Sequence, residues 1–117
     1  MKVYGIPTCG TVRGARKFFK DNEIDIEFID FKKTSVGYDE IDFWLKHISM
    51  DKLFNNRGTK YRTLKLKELE LDDMDKREWL CKENMLFKRP IVVFNDKAIV
   101  GFDEDIYKNL FLDKKEV

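Results

Sequence analysis

Val3 to Phe19 reads VYGIPTCGTVRGARKFF, and the reading of this stretch decides the fold. An apolar run stops just before Cys9. Beyond it Val12, Ala15, Phe18 and Phe19 recur at helical spacing, with Arg13, Arg16, Lys17 and Lys20 on the remaining faces. The pattern predicts a strand, then a cysteine, then a helix. A thiol at such a junction meets the free N–H groups and the positive end of the helix dipole, and both favour thiolate. The plain alternative is a small apolar plug, because free cysteines are usually buried and inert. Gly10, which admits a close backbone approach, and Arg13, one turn on, weigh toward a nucleophile.

Outward from this stretch, Asp21-Asn22 closes the helix and IDIEFIDF (24–31) follows. Ile24, Ile26 and Phe28 fall on one side, with Ile29 and Phe31 also apolar. Such a two-faced strand is typical of the middle of a parallel sheet. The result is a βαβ unit with a right-handed crossover. A helix is expected from Tyr38 to Ser49, with Ile41, Trp44, Leu45 and Ile48 as its stripe. Asp75 and Glu78 read as a capping box for DKREWLCKEN (75–84), which carries Trp79 and Leu80 inward. Between them LFNNRGTKYRTLKL (53–66) is a polar connection with short helical turns. RPIVVF (89–94), the turn Asn95-Asp96 and KAIVGF (97–102) form a hairpin. Asp103 then caps a last helix that turns Ile106, Tyr107, Leu110 and Phe111 inward.

The order βαβ, helices, ββα predicts an α/β thioredoxin-like domain with a four-stranded mixed sheet and a helical insertion over about 38–86. It is expected as a single domain over 1–117, long enough to bury roughly two-thirds of its unfolded surface. Hydrophobic residues make up 43% and charged ones 38%, which excludes a disordered chain. Lys and Arg number 23 against 22 Asp and Glu, so no basic field exists to hold nucleic acid or a membrane surface. Apolar runs of the IVVF kind are too short to cross a bilayer, and no leader pattern opens the chain. A cytoplasmic protein with both thiols reduced is expected. One histidine and two scattered cysteines, Cys9 and Cys81, offer no metal-ligand cluster.

TCGTVRGARKFF (8–19) together with FKRPIVVF (87–94) resembles the arsenate reductase and Spx family, the ArsC-like proteins. The likeness also covers FNNRGTKYRTL (54–64) and VGFDEDIY (100–107). It is closest to single-cysteine members described as thiol reductase-like. The resemblance implies that Cys9 is the redox cysteine and that Gly10, Thr11 and Arg13 cradle its sulfur or a bound oxyanion. It further implies that Arg89 is the catalytic arginine before a cis-proline, Pro90, and that no cofactor is bound. Glutathione or another small thiol then serves as co-substrate, or a glutaredoxin-type protein as partner.

Several positions depart from the family pattern. Two arginines that hold arsenate in true arsenate reductases are replaced, one by Asn55 (with Arg57 displaced nearby) and one by Gly101. Gly5 stands where arsenate reductases often carry histidine, and Val12 replaces the second cysteine of the Spx switch. Efficient arsenate reduction is therefore not expected. Arg57 and Arg62 have two readings, as loop arginines or as a border of the Cys9 site. Cys81 reads as structural and His47 as a helix-surface residue. Two functions follow: a thiol–disulfide oxidoreductase using Cys9 alone, or an Spx-like regulator that contacts RNA polymerase.

Overall fold

A computed structural model describes residues 1–112; of the single domain expected over 1–117, positions 113–117 lie outside the described residues. Strand β1 (Lys2–Gly5) leads through Cys9 into α1 (Gly10–Asp21), and β2 (Glu27–Asp30) follows. Helices α2 (Tyr38–Leu45), α3 (Met50–Leu53), α4 (Thr59–Thr63) and α5 (Asp73–Lys82) come next, with 3-10 turns at Leu66–Leu69 and Asn84–Leu86. Strands β3 (Ile91–Phe94) and β4 (Lys97–Val100) and helix α6 (Glu104–Tyr107) complete the order. The four strands form one mixed sheet, β2-β1-β3-β4. Only the β1–β2 pair is parallel, with Val3 opposite Phe28; β3 runs antiparallel to both β1 and β4.

Side-chain alternation divides the core between the two faces of this sheet. Val3, Ala15, Phe18, Phe19, Val92 and Tyr107 cluster on the face covered by α1 and α6. Tyr4, Phe31, Ile41, Trp44, Phe87 and Ile91 belong to the larger cluster on the other face. There the Trp44 ring meets Tyr4 edge-on at 4.8 Å and Phe87 at 5.1 Å. Gly5 lets α1 approach the end of β1: a Cβ there would lie 2.7 Å from Val12 Cγ2. The Asn95-Asp96 turn has positive φ at both residues, 47° and 60°, as a two-residue hairpin loop requires.

Four expectations need correction. β2 is an edge strand rather than a central one. Its apolar residues on both sides reflect two covered faces, with Ile24, Ile26 and Phe28 against one cluster and Ile29 and Phe31 in the other. The helix expected to Ser49 stops at Leu45; Ile48 is buried by the following turn, and α3 starts anew. The α5 capping box is Asp72 with Asp75, three residues earlier than read. Finally, Ile106 and Leu110 point outward at 52% and 45% exposure, while Tyr107 carries the burial of the last helix. Ile106 faces outward in α6 because its neighbour Tyr107 takes the inward position, and the π-type turn over Lys108–Leu112 then shifts Leu110 out of the expected register.

Candidate functional site

Cys9 is the N-cap of α1 in extended conformation, and its carbonyl accepts from the Arg13 N–H at 2.9 Å. The Cys9 side chain closes no capping hydrogen bond. Burial pushes the Cys9 pKa up, but the N–H groups of Val12 and Thr11 and the Arg89 guanidinium outweigh it, so the net shift is downward. The sulfur is half-buried and reaches a depression of about 530 Å³.

Four segments build that depression. The start of α1 supplies Cys9 and Thr11, α3 and the residues after it supply Lys52 and Asn55, and the segment entering β3 supplies Lys88 and Arg89. Val100 and Gly101, at the end of β4, form the remaining wall. The peptide bond Arg89-Pro90 is cis, and Pro90 is buried. Arg89 Nη1 donates to the carbonyls of Met85 at 2.9 Å and Phe87 at 3.3 Å, which fixes the guanidinium. Its Nε is buried without a partner.

Gly101 has φ of 91°, a conformation that side-chain-bearing residues rarely adopt, and its N–H donates to the Pro90 carbonyl at 2.8 Å. The Tyr107 hydroxyl donates to the Gly101 carbonyl at 2.6 Å, tying α6 to this wall. Asn55 is held by its own N–H to the Leu86 carbonyl at 2.8 Å, and its Oδ1 accepts from the Arg57 N–H at 3.1 Å. The side chain thereby closes the turn that opens the NNRGT segment.

Of the residues expected at the site, Cys9, Thr11 and Arg89 line the depression together, with Gly10 beside Cys9 and Pro90 beside Arg89 in the chain. Arg13 does not join them. Its Nη1 donates to the Thr8 carbonyl at 2.7 Å, and it faces a separate hollow beside Ile24 and Phe28. Arg57 and Arg62 also stay away: Arg57 is exposed, and Arg62 Nη1 donates to the Arg57 carbonyl at 2.7 Å. Neither is among the residues that line the Cys9 depression. Asn55 and Gly101, the positions read as arginine replacements, do line the pocket. Sequence reasoning missed Lys52 and Lys88, whose motifs gave no signal because lysine is common on any solvated face. Cys81 packs half-buried against the larger cluster outside the pocket, and His47 is exposed with its ring 5.1 Å from Phe43. Among the described residues no group of three or more His, Cys, Asp or Glu is placed to hold a metal, and no helix is long and apolar enough to cross a membrane.

A four-stranded mixed sheet in the order β2-β1-β3-β4, with helices on both faces and a cysteine at the start of its first helix, defines the class of thioredoxin-like domains. Within that class the chain belongs to the ArsC family, whose model matches residues 4–110. It is 33% identical over 109 residues to the uncharacterized protein YusI of Bacillus subtilis, covering 90% of this chain and 92% of that one. An arsenate reductase (ArsC) related protein from Brucella melitensis superimposes with a TM-score of 0.72 at 31% identity, covering 95% and 93% of the two chains. A Staphylococcus aureus protein solved by NMR superimposes at 0.77 with 37% identity, covering 95% and 98%.

Proposed function

We propose that this ArsC-family chain is a single-cysteine thiol–disulfide oxidoreductase with Cys9 as its nucleophile. One observation carries the reading: the sulfur sits at the start of α1 where two backbone N–H groups and Arg89 lower its pKa, open to a pocket. The thiolate attacks one sulfur of a disulfide. A Cys9–substrate disulfide forms, the original S–S bond breaks, and the leaving sulfur departs as thiolate with the electron pair. An external thiolate, from glutathione, another small thiol or a glutaredoxin-type protein, then attacks the mixed disulfide and releases Cys9. Val12 is fully buried under Gly5 and carries no second thiol, which favours this external resolution over a switch between neighbouring cysteines.

Trapping tests the proposal. Purified protein treated with oxidised glutathione should gain one glutathione on Cys9, seen as a mass increase absent from Cys9→Ser, and the adduct should be removed by reduced glutathione. An inert Cys9 overturns it. If the inert protein also captures RNA polymerase subunits from a cell extract, the regulator reading takes its place.

A further inference from the structure

We propose that Lys52 and Lys88 make the Cys9 pocket selective for carboxylate-bearing disulfides over neutral or cationic ones; this rests on the thiol–disulfide reading of Cys9. Among the described residues the pocket wall holds three cations, Lys52, Lys88 and Arg89, and no acidic residue. Their roles divide by what each already touches. Arg89 spends Nη1 on two carbonyls of its own chain and turns toward the sulfur, so it serves the thiolate. Lys88 is tethered, its Nζ donating to the Asp51 carbonyl at 3.1 Å, which holds the ammonium above α3 and leaves two N–H donors free. Lys52 lies one residue along on α3, exposed, and takes part in no ion pair or side-chain hydrogen bond among the described residues.

Burial, the Val12 and Thr11 N–H groups and Arg89 account for the shift at the Cys9 sulfur, and Lys52 and Lys88 stand on the same pocket wall beside them. The two ammonium groups add a positive rim around the sulfur. A disulfide arriving with negative charge on the groups flanking its S–S bond lowers its energy at this rim, and a cationic one raises it. Lysine suits such a rim, because a point charge on a flexible stem accepts carboxylates in many geometries. The exchange is the one already balanced above, with the rim deciding only which disulfide approaches.

The test compares second-order rates of Cys9 with three disulfides in a Cys81→Ser background at low ionic strength. They are dianionic 5,5′-dithiobis(2-nitrobenzoate), neutral bis(2-hydroxyethyl) disulfide and dicationic cystamine. Replacing both lysines (Lys52→Gln with Lys88→Gln) should slow the dianionic reagent roughly 10-fold, leave the neutral one within about 2-fold, and not slow the cationic one. Raising the salt to about 1 M should shrink the same difference. Lys52→Gln alone, which removes no bond, should give about 3-fold and keeps the test valid where the double variant fails to fold. Equal slowing of all three reagents, or no change in any, overturns the selectivity. Failure of every disulfide to distinguish the Cys9 protein from Cys9→Ser overturns the nucleophile reading instead.

Discussion

The guanidinium of Arg89 faces the sulfur of Cys9 from across the pocket, on a segment that lies eighty residues further along the chain. Two carbonyls fix that guanidinium from behind, Met85 and Phe87, both in the turn leading to β3. The cation thus comes from the segment before Pro90 while the backbone donors come from α1. Closure of the sheet, with β3 beside β1, brings the two together.

The first prediction concerns protonation. Alkylation of Cys9 by iodoacetamide should show a midpoint below the ordinary thiol value of about 8.5, and Arg89→Gln should move it up toward that value. The sign for stability follows. Because the folded pKa lies below the unfolded one, Cys9 stabilises the fold fully above about pH 8.5, and that contribution is lost as pH falls through the folded pKa. The stability gap between the native chain and Cys9→Ser should widen from pH 6 to pH 9 in favour of the native chain. A flat gap and an unshifted alkylation midpoint would contradict the site geometry.

Arg89→Lys separates charge from shape. Lysine keeps the charge but lacks the fork that reaches two carbonyls and the sulfur together. The rate of disulfide exchange should fall about 10-fold, while stability falls by about 1 kcal/mol, the scale of one net hydrogen bond. Stopped-flow kinetics beside urea unfolding will separate the two. An unchanged rate would make Arg89 a loop brace and nothing more.

Helix capping offers a local check on the corrected start of α5. Asp72 accepts from the Asp75 N–H at 2.8 Å, and Asp75 accepts from the Asp72 N–H at 3.2 Å. Asp72→Ala should cost about 1 kcal/mol in urea unfolding, whereas Glu78→Ala should cost little. The reverse order would restore the later cap.

The strand–cysteine–helix junction was legible because its signals are local: an apolar run, a break, then a 3.6-residue period. The hairpin was legible for the same reason, through Asn95-Asp96. The edge position of β2 was not, since apolar residues on both sides report two covered faces and say nothing of neighbours in the sheet. The direction of Arg13 was not legible: one turn of helix separates it from Cys9 in sequence, yet its side chain folds back onto Thr8. Lys52 and Lys88 reach the site through tertiary packing of α3 against the β3 entrance, which no sequence period encodes. Leu110 leaves the α-helical period at the π-type turn after Tyr107, and Ile106 lies on the outer side of the turn whose inner side Tyr107 fills; neither shift has a signal in the apolar pattern.

Arsenate turnover should be weak. One arginine lines the pocket, and the positions read as the other two arsenate-holding ones are Asn55 and Gly101, both on its wall. Each missing forked contact removes about 1.5 kcal/mol or more, so the pair costs on the order of 100-fold. Gly101 resists restoration, because its φ of 91° strains any side-chain-bearing residue. Asn55→Arg is the better attempt and should raise arsenate turnover coupled to glutathione and glutaredoxin above the native level. Native turnover matching a dedicated reductase would show that the lysines replace the arginines fully.

Asn84 predicts how the helical insertion is anchored. It is a buried polar residue, at 7% exposure, and it bridges two segments 48 positions apart. Its Oδ1 accepts from the Val36 N–H at 2.7 Å, and its Nδ2 donates to the Val36 carbonyl at 3.2 Å and to the Leu80 carbonyl at 2.9 Å. The amide thus satisfies both main-chain groups of Val36 just before α2 and the end of α5 at once. Asn84→Ala takes this partner from the Val36 N–H and from the Val36 and Leu80 carbonyls, which should cost about 2–3 kcal/mol. Asn84→Asp keeps the acceptor for Val36 but sets a carboxylate oxygen against two carbonyls, so it should lose at least as much at neutral pH. Urea unfolding should show a lower midpoint with unchanged slope in both variants. If Asn84→Ala shifts stability by less than about 0.5 kcal/mol, water replaces the amide and the anchor lies elsewhere. A full loss in Asn84→Ala with Cys9 alkylation still fast in the remaining folded protein would place Asn84 in the frame of the insertion and outside the chemistry.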